Sequence, residues 1–223
     1  MEALIRWQHP KLGLLTAEHF MDMAIKNGLI IEIGQWVLQS ACSQIQAWYQ
    51  EGYNPGKMAV NLGALELDNR ELVPFVSDTL YRTGCKASWL ELEMSDDDLN
   101  GATQLSLENL NALDKLGIDI SIDDFGTAST SLNYLKQLPI TSLKIDGSLT
   151  QKKSSDDQTI LEAIIALGQV MGLNTIAEGI ESEAQKTLLQ EKGCSVMQGH
   201  HFSKAVDASE IKMMLPQQNR KSE

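Results

Sequence analysis

The stretch Ile118-Asp119-Ile120-Ser121-Ile122-Asp123-Asp124-Phe125-Gly126 decides the fold class. Ile118, Ile120 and Ile122 alternate with Asp119, Ser121 and Asp123, which is the period of a strand with one apolar and one polar face. Two adjacent acids and a glycine mark its passage into a loop. The same alternation returns where Leu90 and Leu92 interleave with Glu91 and Glu93, and where Leu143 and Ile145 interleave with Lys144 and Asp146. A parallel strand covered by helices on both faces would read apolar throughout. A β/α barrel satisfies all three segments, apolar outward toward its helices and polar inward. Barrel interiors are ordinarily Val, Ile and Leu, so a polar lining points to an occupied site.

Working outward, the pattern predicts strands at Glu2–Ile5, Met58–Leu62, Trp89–Met94, Ile118–Asp123, Ser142–Asp146, Leu173–Glu178 and Ser195–Gln198. Helices are predicted between them. One runs from about Ile31 to Tyr49, with Ile33, Val37, Ala41, Ile45 and Trp48 on one stripe. Another spans about Gln158 to Met171, with Ile160, Ile164, Leu167 and Met171 as its buried face. Others cover about Arg70–Arg82, Leu105–Leu116, Ser131–Gln137 and Glu181–Glu191. Gly117, Gly172 and Gly193 each follow a helix and precede a strand, as C′ glycines do. Strand–helix alternation at this spacing argues for a parallel sheet. One domain is expected over residues 1–215, followed by a polar, frayed tail over 216–223.

The 223 residues suit one α/β domain with a sizeable core. No stretch is long and apolar enough to cross a membrane, and no signal peptide opens the chain, so no membrane contact by this segment is expected. Cys42, Cys85 and Cys194 lie far apart and form no CxxC pair, which suits reduced thiols in the cytoplasm. The net charge of −12 argues against a nucleic-acid polymer as partner, because that surface would be basic. It leaves a phosphate substrate open, since bound cations with Arg6 and Lys144 would attract an anion locally.

In order, the strand ends deliver Glu2, Asn61, Glu93, the pair Asp123–Asp124, Lys144, Glu178 and Gln198. A barrel or an open α/β sheet gathers such ends on one face. Carboxylates gathered there repel one another unless cations neutralise them. The pattern therefore implies a divalent metal site with more than one ion. Taken singly, each residue also has a plainer reading. A lone Asp after a strand is often a turn or capping acid. Asn61 suits an Asx turn, or a neutral oxygen ligand for Mg²⁺ or Mn²⁺. Lys144 is either a structural partner of Asp146 or Glu178, or the group that orients a metal-bound water. Glu181 suits a helix N-terminus. Arg6, on the inward face of the first strand, can fork onto a phosphate. His200 and His201, adjacent on one strand, point opposite ways and belong to the rim.

The segment Met1-Glu-Ala-Leu-Ile-Arg-Trp7 resembles the EALxRW signature of EAL-domain cyclic di-GMP phosphodiesterases. The resemblance continues as VNL at Val60–Leu62, LELE at Leu90–Glu93, DDFGT at Asp123–Thr127, LKID at Leu143–Asp146, AEGIE at Ala177–Glu181 and QG at Gln198–Gly199. These blocks keep the family's order from Glu2 to about Lys204. The resemblance implies a TIM-like β/α barrel that binds two Mg²⁺ or Mn²⁺ ions and hydrolyses cyclic di-GMP to linear pGpG. Glu2, Asn61, Glu93 and Asp123 then look like ligands of one metal, and Asp123, Asp124 and Glu178 like the shell of the other. Lys144 looks like the residue that positions the attacking water, with Glu2, Asp123 and Glu181 also in the catalytic set. Arg6 looks like the phosphate contact, and Glu181 and Gln198 like supporting or substrate contacts. The family further implies a homodimer and fusion to sensor or GGDEF-type domains in a longer signalling protein.

The chain departs from the family pattern at three places. The family's first strand and helix have no counterpart before Met1, so seven strands are expected where eight close a barrel. Exposed edges are expected at the strands starting at Glu2 and Ser195, and a loosely held Glu2. The loop after Asp124 reads GTASTSL where the family reads GTGYSSL, placing Ala128 at a glycine and Ser129 at an aromatic position. Asp96 stands where the family has a Glu that braces this loop. These departures suit reduced activity, or a degenerate domain that binds cyclic di-GMP as a non-catalytic receptor.

Overall fold

A computed structural model describes residues 1–127, 132–151 and 155–217. The chain divides into two compact units. The first comprises Met1–Leu92, Thr103–Ile118 and the chain from Asp207; the second comprises Glu93–Ala102 and Asp119–Val206. The described strands are β1 (Glu2–Ala3), β2 (Arg6–His9), β3 (Gly13–Thr16), β4 (Met58–Asn61), β5 (Leu90–Ser95), β6 (Asp119–Phe125), β7 (Ser142–Ile145), β8 (Asn174–Ala177) and β9 (Val196–Met197). Among the described residues seven of them form one sheet, in sequence order once the β2–β3 hairpin is set aside.

In the first unit β1 pairs in parallel with β4, Glu2 opposite Ala59 and Ala3 opposite Val60. The N-terminus is pinned at Met1, immediately before Glu2. The Met1 ammonium donates to Lys57 O at 3.1 Å and Ala59 N donates to Met1 O at 2.8 Å. The expectation of a loosely held Glu2 is thus corrected, because ladder bonds reach the first residue. The helix Ile30–Gln50 covers this sheet with Ile30, Leu38, Ala41, Cys42, Ile45 and Trp48.

Arg6 departs from its expected place. It opens β2 opposite Thr16 in a separate two-stranded antiparallel ribbon. The chain turns at Pro10–Leu12, where the amides of Lys11 and Leu12 both donate to His9 Nδ1 at 3.1 Å and Gly13 takes a positive φ of 78°. Trp7 packs edge-on against the rings of His9 and Phe20, which fixes the ribbon. At the start of the expected tail, Asn54 N donates to Pro216 O at 2.9 Å and Tyr53 bridges to Gln217. The rest of the tail lies outside the described residues.

In the second unit β6, β7, β8 and β9 pair in parallel in that order. Ile120, Ile122, Leu143 and Ile145 are fully buried on one face, and Ser121, Ser142 and Lys144 are buried on the other. The long helix Ser155–Met171 covers the apolar face, rotated from the expected stripe. Leu161, Ile164 and Ile165 are buried while Ile160 is exposed. Gly168 explains the rotation: a Cβ there would lie 2.4 Å from Thr175 Cγ2, so the bare backbone lets the helix approach β8 along this line.

Candidate metal centre

Lys144, on β7 and 1% exposed, lies at the heart of the second unit's acidic group. Its Nζ is 2.9 Å from Glu93 Oε2, 3.1 Å from Asp123 Oδ1 and 2.8 Å from Glu178 Oε1. One ammonium cannot balance three carboxylates. The surplus negative charge at a largely desolvated position favours a further cation.

The ladder between β6 and β7 is irregular at this point. Ile122 faces Leu143 and Phe125 faces Ile145, so two residues, Asp123 and Asp124, oppose Lys144 alone. This is a β-bulge, which inserts a residue and re-aims side chains. Asp124 sits in the left-handed region at φ 54°, alone in this respect among the described non-glycine residues. That conformation costs an L-residue about 1 kcal/mol. Asp124 N donates to Asp123 Oδ1 at 2.9 Å, and Thr127 Oγ1 donates to Asp124 O at 2.9 Å. Because of the bulge, ligand oxygens of Asp123, Asp124 and Glu178 all lie within 4.8 Å of one another. An all-oxygen set at this spacing can hold a hard divalent cation.

Burial and the charges of Asp123 and Asp146 push the Asp124 carboxyl up to about 6. Asp146, two residues past Lys144, shares a hydrogen bond with Asp124. Burial opposes its ionisation, yet bonds from Ser148 and Asp124 hold it below the usual Asp range. Asp146 lies one residue past β7; the sequence presents it as a partner for Lys144, and its alternation with Ile145 is the signal that sets it on the polar side. A carboxyl whose folded pKa exceeds its unfolded value binds more protons in the folded state, so its contribution to stability falls as pH rises between the two values. Without divalent ions, the wild type is therefore expected to lose about 1 kcal/mol relative to Asp124→Asn between about pH 4 and 6. The residue's surroundings partly desolvate the carboxyl while Asp124 keeps contact with solvent, so the full linkage value is reduced. Urea midpoints of both proteins across that range in EDTA check this, and parallel profiles would contradict it. Asp146 acts in the opposite sense and below this window.

In the first unit Asn61 Nδ2 donates to Glu2 Oε1 at 2.8 Å, which leaves the amide oxygen of Asn61 as its potential ligand atom. Glu178 and Gln198 lie one residue past their strands. Glu178 N donates to Ile145 O at 3.1 Å and Gln198 N donates to Ala177 O at 2.9 Å, so the ladders continue through both. Glu181 is exposed, its amide donating to Gln185 Oε1 at 2.9 Å. Arg6 Nη1 donates to Ile5 O at 2.9 Å. His200 and His201 follow β9 rather than lying on a strand, and His201 pairs with Glu183 at 2.9 Å. Asp96 is buried at the start of the helix Asp96–Asn100, where Ser95 Oγ accepts from Asp98 N at 3.1 Å. Ala128 and Ser129 lie outside the described residues.

Gly199 secures the turn that carries Glu178 and Glu181. A Cβ at Gly199 would lie 2.2 Å from Ile180 O and 2.3 Å from Ile180 N. Those atoms are engaged, Ile180 N donating to Gln198 O at 3.1 Å and His201 N donating to Ile180 O at 2.9 Å. Gly199→Ala is expected to cost about 3 kcal/mol by forcing backbone apart. A thermal melt checks this, and an unchanged midpoint would contradict it.

Residues 1–205 match the family described as EAL domain. The bifunctional diguanylate cyclase/cyclic di-GMP phosphodiesterase MucR of Pseudomonas aeruginosa is 41% identical over 213 residues, covering 95% of this chain and 31% of the relative. Cyclic di-GMP phosphodiesterase NbdA of the same organism is 37% identical over 217 residues, covering 96% and 28%. The chain thus spans less than a third of these relatives' length. Among solved structures, the P. aeruginosa MucR phosphodiesterase in complex with c-di-GMP superposes with a TM-score of 0.90 at 42% identity, covering 94% of this chain and 86% of that one. The FimX EAL domain of P. aeruginosa bound to c-di-GMP gives 0.83 at 25% identity, covering 93% and 85%. The mixed α/β reading with a TIM-like parallel sheet therefore stands. By sequence and by fold, this chain belongs to the EAL domain family.

Proposed function

We propose that this chain hydrolyses cyclic di-GMP to linear pGpG with two Mg²⁺ or Mn²⁺ ions. The observation that carries the reading is Lys144 within 3.1 Å of three strand-end carboxylates, beside the bulged Asp123–Asp124 pair, in an EAL domain. Within the second unit Asp123, Asp124 and Glu178 would hold one ion, with Glu93 beside them on Lys144; Glu2 and Asn61, paired in the first unit, are proposed as metal ligands too. When bound, the ions polarise the phosphodiester and lower the pKa of the attacking water. The chain's own residues do the rest. Lys144 fixes the carboxylates and aims the water at phosphorus. Arg6 draws the phosphate by charge, and Gln198 and Glu181 hold substrate and solvent near the turn after β8. Among the described residues no helix is long and apolar enough to cross a membrane. We assign the domain to the cytoplasm, as a homodimer within a longer protein with sensor or GGDEF-type domains.

Purified protein incubated with cyclic di-GMP and Mg²⁺ or Mn²⁺ is expected to release pGpG over many turnovers, followed by chromatography. Tight binding without product would overturn this in favour of a receptor, the reading suited by Ala128 and Ser129 in the loop after Asp124.

A further inference from the structure

We propose that Thr150 is a positioning residue that sets the Glu178 carboxylate by clamping the backbone behind it; this rests on the metal-dependent reading above. The short helix Gly147–Gln151 follows β7, and the turn beginning at Glu178 follows β8. The two segments touch backbone to backbone. A Cβ on Gly179 would lie 2.9 Å from Gly147 Cα, and one on Gly147 would lie 3.3 Å from Gly179 Cα. Gly179 also adopts a positive φ of 68°. Such contact leaves no room for water, so carbonyls facing it need partners from the protein.

Thr150 supplies one. Its hydroxyl, on a residue 9% exposed, is 2.6 Å from Glu178 O and 2.9 Å from Gly147 O, and its one proton is shared between them. Gln151 Nε2 donates to the next carbonyl, Gly179 O, at 3.4 Å. Gln185 ties the far side, donating from Nε2 to Thr150 O at 3.4 Å while its Oε1 accepts from Glu181 N at 2.9 Å. With Glu178 N bound to Ile145 O, both peptide groups of Glu178 are fixed. Its carboxylate, 2.8 Å from Lys144 Nζ and grouped with Asp123 and Asp124, then has few ways to move. Hydrogen bonds to a ligating group itself set metal affinity by about 10- to 100-fold; Thr150 acts one step further out, through the backbone of Glu178, so the low end of that range is expected.

The test compares wild type, Thr150→Val, Thr150→Ser and Glu178→Gln in three measurements: Mn²⁺ affinity by calorimetry, kcat and KM for cyclic di-GMP, and melting in EDTA. Thr150→Val keeps the shape and removes the hydroxyl. It is expected to weaken Mn²⁺ binding about 10-fold and to lower kcat at subsaturating Mn²⁺, with KM little changed. Thr150→Ser, which keeps the hydroxyl, is expected to recover most of the affinity. Thr150→Val that binds Mn²⁺ as the wild type does, while Glu178→Gln does not, would overturn the clamp and leave the metal reading standing. A wild type that binds no Mn²⁺ would overturn both. Should Thr150→Val fail to fold, Gln151→Leu, which removes the bond to Gly179 alone, is expected to show a smaller loss in the same direction. Unchanged Mn²⁺ affinity there would count against the clamp.

Discussion

Lys144→Met is expected to lower stability by about 3 kcal/mol at neutral pH without divalent ions, and to reduce hydrolysis at least about 100-fold. The variant keeps the volume of the side chain and removes its charge. Glu93, 3% exposed, would lose a partner at 2.9 Å, and Asp123 and Glu178 would lose theirs at 3.1 and 2.8 Å. The carboxylates would then repel one another without a counter-charge, and because acid removes that repulsion the deficit should shrink toward acidic pH. Mn²⁺ should recover more stability in the variant than in the wild type, because a bound cation supplies the charge that Nζ provided. Urea denaturation with EDTA or Mn²⁺ checks the first part, and pGpG release checks the second. Equal midpoints and unchanged turnover would show that Lys144 neither neutralises these acids nor takes part in the reaction.

Asp123→Ala should separate activity from folding. Asp123 is a proposed metal ligand that also contacts Lys144 at 3.1 Å, so its loss is expected to reduce turnover at least about 100-fold, even at high Mn²⁺. Stability in EDTA should change by no more than about 1 kcal/mol. Asp123 lies at the bulge, half-buried, and Lys144 retains Glu93 and Glu178. Removing its charge also relieves one of the causes that push Asp124 up, so Asp124 should titrate below about 6. Glu2→Ala, which takes away the partner of Asn61 at 2.8 Å, should likewise abolish turnover with the fold intact. Unchanged hydrolysis in either variant at saturating metal would overturn the ligand assignment.

Strand existence was legible because apolar and polar residues alternate in Ile118–Asp123 and Ser142–Asp146, but burial of the polar face, with Ser121, Ser142 and Lys144, does not follow from that alternation and comes from the enclosing fold. The hairpin Arg6–His9 with Gly13–Thr16 was not read, since its turn depends on a histidine ring accepting two amides. The buried face of the helix Ser155–Met171 differs from the expected stripe because two adjacent apolar stripes share Ile164. Only contact with Thr175 selects the one that contains Gly168.

The sequence by itself determined which strand ends carry acids, an amide and a lysine, and so a polar site of the EAL type. Period and residue order are local properties and survive in one dimension. Only the tertiary structure decided how the adjacent acids are used. The side chains of neighbouring strand residues point to opposite faces. A bulge opposite Lys144, with Asp124 at positive φ, brings both acids toward Glu178, and that arrangement depends on the register between β6 and β7.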